Sequence, residues 1–125
     1  MSNHILAVIE DLFFTVKINE AAKHAGIAAK FVRAELDATE GAKMQPAAIV
    51  IDLNCAAIDP LRLIAALKGS EETKKIPVIG FVSHVQGDLK QQAQQAGADM
   101  VLARSAFSQN MVQIFKRYAS SYSGF

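Results

Sequence analysis

The chain has 125 residues, of which 51% are hydrophobic and 20% are charged, and this length is sufficient for one domain with a substantial core. Thirteen basic and twelve acidic residues give a formal net charge of +1, so there is no electrostatic basis for binding nucleic acid or an anionic membrane. The single cysteine, Cys55, excludes an internal disulfide, and no apolar run approaches the roughly 20 residues that span a bilayer. We therefore expect residues 1–125 to form one cytoplasmic domain.

The first half of the chain alternates between apolar runs and helical patterns. Residues 4–9 are a mostly apolar run, which is typical of a strand buried on both faces. Asp11 is predicted to cap the helix that follows, and Gly26 is predicted to end it. Residues 28–34 indicate a more polar strand near an edge of the sheet, and residues 36–44 favour a short helix.

The second half repeats this alternation. Residues 47–51 are an apolar run without a polar face, and the run ends in a carboxylate, Asp52. Asp59 and Pro60 are typical of the cap and the first position of a helix. The remaining predicted elements are strands at 76–82 and 100–103, a helix at 89–96, a last helix capped by Ser105 or Ser108, and a flexible tail at 119–125.

Five strands that alternate with five helices predict an α/β fold. Right-handed crossovers place helices on both faces of a five-stranded parallel sheet, in the doubly wound, flavodoxin-like class. Its strand order of 2-1-3-4-5 puts the binding crevice between the ends of strands one and three. Glu10, Asp11 and Asp52 are expected to converge there.

Such a group of carboxylates suits a hard cation, because magnesium prefers oxygen ligands. Arg104 follows strand five, and its guanidinium could hold a phosphate through two parallel hydrogen bonds. A purely structural interpretation is equally open at this point. In that interpretation Asp11 only caps its helix, Asp52 accepts hydrogen bonds from local backbone, and Arg104 pairs with one of them.

The segment from Asp52 to Leu61, with the sequence Asp-Leu-Asn-Cys-Ala-Ala-Ile-Asp-Pro-Leu, resembles the receiver domains of bacterial response regulators in its spacing. Ile-Pro-Val-Ile at 76–79 and Gly-Ala-Asp at 97–99 are also similar, so the resemblance covers nearly the whole chain. It implies that Asp52 is the phosphoacceptor. It also implies a magnesium site, for which the candidate ligands are Glu10, Asp11, Asp52 and the backbone carbonyl of Asn54.

The chain departs from the receiver pattern at several positions that matter for chemistry. Ile9 occupies the first position of the acidic pair, which weakens magnesium binding. Val82 occupies the position of the hydroxyl residue that contacts the phosphoryl group, with Ser83 next to it. Arg104 replaces the usual lysine, and Val101 replaces the switch aromatic residue. With these departures, the chain resembles an atypical receiver or a pseudo-receiver.

Two functions remain open. The first is a stand-alone response-regulator receiver in two-component, phosphorelay signal transduction. It would accept a phosphoryl group on Asp52 from a histidine kinase or a phosphotransfer protein, and it would signal through protein contacts. The alternative is a phosphorylation-independent pseudo-receiver that works only as an interaction module. Neither is an enzyme beyond self-phosphorylation.

Leu12, Phe13 and Val16 are apolar residues that do not lie on the core stripe of the first helix. Exposed clusters of this kind often mark partner surfaces, so they predict contact with another signalling protein or with a second copy of the chain as a homodimer. The alternative is that Phe13 folds over the rim of the acidic pocket while the other two pack on a neighbouring loop.

Overall fold

The structure is a computed structural model that describes residues 4–83 and 87–123. Strands and helices alternate along these ranges. The strands are β1 (His4–Val8), β2 (Ala28–Val32), β3 (Ala48–Asp52), β4 (Val78–Val82) and β5 (Met100–Ala103). The helices are α1 (Leu12–Ala25), α2 (Glu35–Ala42), α3 (Pro60–Gly69), α4 (Gly87–Ala96) and α5 (Arg104–Ser123).

All the strands are parallel and lie in one sheet with the order β2-β1-β3-β4-β5, which confirms the predicted flavodoxin-like topology. Val8 lies opposite Ile51, and Asp52 lies opposite Phe81. The strands therefore end side by side along one border of the sheet, which we call the carboxyl edge. The segments that follow β1, β3, β4 and β5 begin there.

The core has one layer on each face of the sheet. On the first face, α1 and α5 pack on the strands around four aromatic rings whose successive centroids are 4.9, 5.3 and 6.1 Å apart: Phe14, Phe81, Phe107 and Phe115. On the second face, α2, α3 and α4 pack on aliphatic side chains of β1, β3 and β4. Because both faces are covered, β1, β3 and β4 are buried along their whole length, as their apolar sequences predict.

The predicted ends of α1 are confirmed. The Phe14 N–H donates a hydrogen bond to Oδ1 of Asp11 at 3.1 Å, which is the expected cap. Gly26 has a φ of +78°, and the adjacent Ile27 N–H donates to the Ala22 carbonyl at 2.9 Å. The cap of α3 at Asp59 is confirmed in the same way.

The predicted cap of α5 at Ser105 or Ser108 is wrong. The helix begins at Arg104, directly after β5, so both serines lie within its first turns. Burial of Phe107 and Met111 at helical spacing places Phe107 inside the helix, which excludes a cap at Ser108. A cap at Ser105 is excluded because β5 ends at Ala103 and the helix begins at the next residue. The described part of α5 continues to Ser123, within the predicted flexible tail at 119–125, and residues 124–125 lie outside the described residues. None of the helices in the described ranges has the length and the apolar composition that crossing a bilayer requires.

Candidate functional site

Three residues after β1 reach the carboxyl edge, and each has a different environment. The Ile9 N–H extends the ladder by donating to the Val32 carbonyl at 3.1 Å, and the Ile9 side chain is buried in the core. Glu10 is exposed. Asp11 is half-buried, and one of its oxygens caps α1. Of these three residues, only Glu10 and Asp11 can bring a carboxylate to the site.

Arg104 pairs with Asp11. The guanidinium Nη2 donates to Oδ2 of Asp11, and the guanidinium carbon lies 4.4 Å from the centroid of the Phe14 ring. The ring supports the cation through its π-face. The hydrogen bond from Arg104, followed by the one from the Phe14 backbone, lowers the pKa of Asp11 below its ordinary value of 3.8. Both oxygens of Asp11 are therefore occupied by donors.

Asp52 ends β3 and is nearly buried, with 9% of its surface exposed. Its Oδ1 accepts a hydrogen bond from the Asn54 N–H at 2.9 Å. Burial is the largest influence, and it raises the pKa of Asp52 above 3.8, although the Asn54 N–H and the charge of Arg104 act in the opposite direction. The negative charges of Asp11 and Glu10 raise it further. Asp52 is thus a carboxylate with little solvation and one backbone donor.

The loop after Asp52 is fixed by contacts with β4. A Cβ at Gly80 would lie 3.0 Å from the side chain of Leu53, so glycine allows Leu53 to pack directly on the strand. The Ser83 N–H donates to Oδ1 of Asn54 at 2.7 Å. The structure therefore brings Asn54 and Ser83 together, whereas the side chain of Val82 is buried in the core.

Val101 is also buried, in the layer covered by α2, α3 and α4. An aliphatic side chain in that position has no polar group that could respond to a phosphoryl group. The predicted switch positions Val82 and Val101 thus act as core residues in this structure, and Ser83 is the exposed hydroxyl that remains beside Asn54.

Two contacts of this site are not among those that the sequence predicts. One is the Phe14 ring under Arg104, a contact between α1 and the start of α5 that no local spacing indicates. The other is Cys55, whose thiol donates to Oε1 of Glu10 at 3.5 Å. Burial, with a smaller contribution from Glu10, raises the pKa of Cys55 above 9.0. Cys55 is therefore a protonated thiol that occupies one oxygen of Glu10.

The predicted magnesium ligands do not fit a complete metal site. Within the described ranges, no three side chains among His, Cys, Asp and Glu are grouped so that they could hold a metal ion. Asp11 gives both oxygens to donors, and Glu10 accepts a hydrogen bond from Cys55. The carboxylate oxygens without a hydrogen-bond donor are therefore fewer than the predicted magnesium site requires.

An exposed apolar surface lies next to this edge. Leu12, Phe13 and Val16 are 74%, 87% and 61% exposed, so all three side chains face solvent, and Phe13 also stands at the border of the groove beside Asp11 and Arg104. We call these three residues the α1 ridge. Beside the ridge, an open groove of about 580 Å³ runs between α1 and α5. Its lining residues are Asp11, Phe13, Phe14, Lys17, Ser83, Arg104, Ser105, Ser108 and Gln109.

The fold is that of response regulator receiver domains. The receiver domain of a sensor histidine kinase from Pseudomonas aeruginosa is 21% identical, with a TM-score of 0.80 over 96% of this chain and 99% of that one, and its structure has a magnesium ion coordinated in the active site cleft. A putative response regulator from Chloroflexus aurantiacus is 20% identical, with a TM-score of 0.83 over 96% and 99% of the two chains. The phosphorylated cyanobacterial phytochrome response regulator RcpA is 20% identical, with a TM-score of 0.79 over 99% and 98%.

No protein-family model matches the sequence, and no curated protein does. The likeness to solved structures, at about 20% identity, establishes the architecture and leaves the chemistry to the residues of the chain itself. The chain has the five-stranded, doubly wound fold of a response regulator receiver domain.

Proposed function

We propose that the chain works in two-component signal transduction as a receiver-fold interaction module, and that it signals without magnesium-dependent phosphorylation of Asp52. The observation that carries this proposal is the pair between Asp11 and Arg104. Arg104 is the cation that would contact a phosphoryl group, and in this pair its guanidinium is bonded to Asp11 instead. The pair also engages the carboxylate that could replace the acid missing at Ile9.

Other features support the same proposal. Val82 and Val101 are buried and apolar where a receiver would use a hydroxyl and an aromatic switch. Glu10 is engaged by the Cys55 thiol. With these groups absent or engaged, little remains that would stabilise charge on a phosphoryl group at Asp52. The partner in this function is a histidine kinase, a phosphotransfer protein or another signalling protein.

A second candidate is favoured by the position of Asp52. Asp52 lies at the carboxyl end of β3, where a receiver has its phosphoacceptor, and one of its oxygens accepts a backbone hydrogen bond. In this candidate a kinase or phosphotransfer protein donates a phosphoryl group to the Asp52 carboxylate. Arg104 must then leave Asp11 before it can contact the phosphoryl oxygens. A magnesium ion that screened the negative charges beside Asp52 would also require Glu10 to leave the Cys55 thiol.

The test is to add millimolar magnesium and beryllofluoride, a phosphoryl mimic, and to follow the backbone amide shifts by NMR. We expect no saturable change at residues 52–54. The matched control is Asp52→Asn, which keeps the size and the backbone contacts of the side chain but cannot bind the mimic. Saturable shifts at 52–54 that disappear in Asp52→Asn would overturn the proposal and support the second candidate.

A further inference from the structure

The groove between α1 and α5 has the size and the lining of a small-molecule site. Its volume of about 580 Å³ lies within the range of about 300–1,000 Å³ that is typical of such sites. Phe13 and Phe14 give it aromatic side chains, and Lys17, Arg104 and three serines give it polar groups. Ligand sites combine a mainly apolar wall with a few convergent polar groups, and these groups indicate which ligand chemistry fits.

The charged side chains of the groove leave it positive. Two cations and one acid line it, namely Lys17, Arg104 and Asp11, and together they give a net charge of +1. Asp11 is bonded to Arg104, whereas Lys17 is exposed and forms no ion pair with any residue in the described ranges. Glu10 and Glu20, which lie near Lys17 in the sequence, do not line the groove. An anion that enters would therefore meet the Lys17 ammonium and the exposed part of the Arg104 guanidinium.

Three serine hydroxyls on the wall of the groove are available to a ligand. Ser105 and Ser108 are three residues apart on α5, so they are neighbours on the helix surface, and Ser83 follows β4. The hydroxyls of Thr15 in α1 and Thr39 in α2 donate to backbone carbonyls. Within the described ranges, no hydrogen bond of this kind engages the three serine hydroxyls. They therefore add three donors to the two cations.

We propose that this groove binds a small phosphomonoester that carries an aromatic ring. The three terminal oxygens of a phosphate group suit two cations and three hydroxyls better than the two oxygens of a carboxylate do. The exposed ring of Phe13 stands at the border of the groove, where the ring of the ligand can pack on it. Phe14 does not serve in this way, because it is buried and lies under the Arg104 guanidinium at 4.4 Å.

The inference goes beyond the proposed function, because Asp52 does not line the groove. The phosphate of the ligand is held by noncovalent contacts from α1 and α5, and no phosphoryl group is transferred to Asp52. Arg104 keeps its bond from Nη2 to Asp11, while its other N–H groups reach the ligand. The ligand would thus connect two helices and give the module an input that needs neither a kinase nor magnesium.

The test is a titration of the whole chain with phenyl phosphate to about 10 mM, followed through the backbone amide shifts by NMR. We expect saturable shifts at 13–17 and 104–109, with a Kd of about 1 mM. Inorganic phosphate lacks the ring and should bind about 10-fold more weakly. Phenol lacks the charge and should give no saturable shift. Absence of saturable shifts with phenyl phosphate, or equal affinity for phenyl phosphate and inorganic phosphate, would overturn the site.

Two pairs of variants test the two halves of the ligand. Lys17→Gln should weaken phenyl phosphate binding by about 10-fold. Lys23→Gln makes the same change at an exposed position of α1 that does not line the groove, and it should leave the affinity unchanged. Phe13→Ala should remove the preference for phenyl phosphate over inorganic phosphate. Leu12→Ala, at an adjacent exposed position outside the groove, should keep it. Wild-type affinity in Lys17→Gln contradicts the inference.

A last variant separates this groove from the candidate phosphoacceptor. Asp52→Asn should bind phenyl phosphate at least as tightly as wild type, because Asp52 lies outside the groove. Loss of binding in this variant would place the phosphate at Asp52 and overturn the inference. The response to beryllofluoride at 52–54 decides the proposed function by itself, so either proposal can fail while the other stands.

Discussion

Asp11 and Asp52 follow neighbouring strands of the same sheet, and their pKa values move in opposite directions. Asp11 receives the Arg104 guanidinium and a backbone N–H, and its pKa is lowered. Asp52 is more buried and has one backbone donor, so its pKa is raised. Position at the carboxyl edge therefore does not by itself give a carboxylate its role. The donors that reach it decide.

The two carboxylates also compete for one cation. Arg104 lies on the Phe14 ring, which holds the guanidinium at the Asp11 side of the edge. Arg104 influences the pKa of Asp52 through its positive charge, which lowers that pKa and opposes part of the rise that burial causes. The contrast between the two sites therefore depends on Phe14, on Asp11 and on Asp52 itself, and each of them can be changed separately.

The largest expected effect comes from removing the ring that supports Arg104. Phe14 is buried among Phe81 and Phe107, so Phe14→Ala should lower the free energy of unfolding by about 3–5 kcal/mol, as measured by urea denaturation. The adjacent Phe13 is exposed, and Phe13→Ala is the control, with an expected change within about 0.5 kcal/mol. Equal losses for the two variants would mean that the ring under Arg104 has no special part in stability.

Two substitutions of Asp11 distinguish the contributions of its two hydrogen bonds to stability. Asp11→Ala removes both the helix cap and the partner of Arg104, and it should cost about 1–2 kcal/mol. Asp11→Asn keeps a capping oxygen and should cost about half as much. If asparagine costs as much as alanine, the cap contributes nothing and the charge contributes the whole effect.

The pH dependence of this loss follows from the lowered pKa of Asp11. A group whose pKa is lowered by folding stabilises the native state above its unfolded value of 3.8, and this contribution is lost as the pH falls through the folded pKa. The difference in stability between wild type and Asp11→Asn should therefore be full at pH 7, begin to shrink as the pH approaches 3.8, and disappear only below the lowered pKa of folded Asp11. Urea denaturation at a series of pH values measures it.

The fold could be predicted from the sequence because apolar runs and helical spacing carry most of the information. The fifth strand has its predicted bounds at residues 100–103, and the caps at Asp11 and Asp59 are where side-chain chemistry requires them. The start of α5 was not predictable from cap residues alone, because α5 follows β5 with no residue between them and Phe107 already lies on its buried side. Local signals were overridden there by packing on the sheet.

The sequence could predict which residues lie near the site but not how they pair. The sequence places three carboxylates and a guanidinium at one edge, which the structure bears out, but it does not say which carboxylate the guanidinium meets. That choice depends on the ring of Phe14 below the cation, which is a contact across 90 residues of chain. The bond between Cys55 and Glu10 is equally non-local. Pair formation of this kind depends on side-chain geometry that spacing does not encode.

The smallest expected effect has the opposite sign. Asp52→Asn replaces a buried charge with a neutral amide that still accepts the hydrogen bond of the Asn54 N–H. Because burial and the nearby acids raise the pKa of Asp52, the charged form destabilises the native state at neutral pH. The variant should therefore be more stable than wild type at pH 7, as measured by urea denaturation.

The pH profile of Asp52→Asn tests the same cause. A group whose pKa is raised by folding favours the native state below its unfolded value of 3.8, and this advantage is lost as the pH rises through the folded pKa. The gain of the variant over wild type should be absent below pH 3.8 and grow above it, which is the reverse of the loss that Asp11→Asn brings. If Asp52→Asn instead loses stability at pH 7, the charge of Arg104 outweighs burial at Asp52. The guanidinium would then stabilise the charged form of both carboxylates, and their pKa values would no longer move in opposite directions.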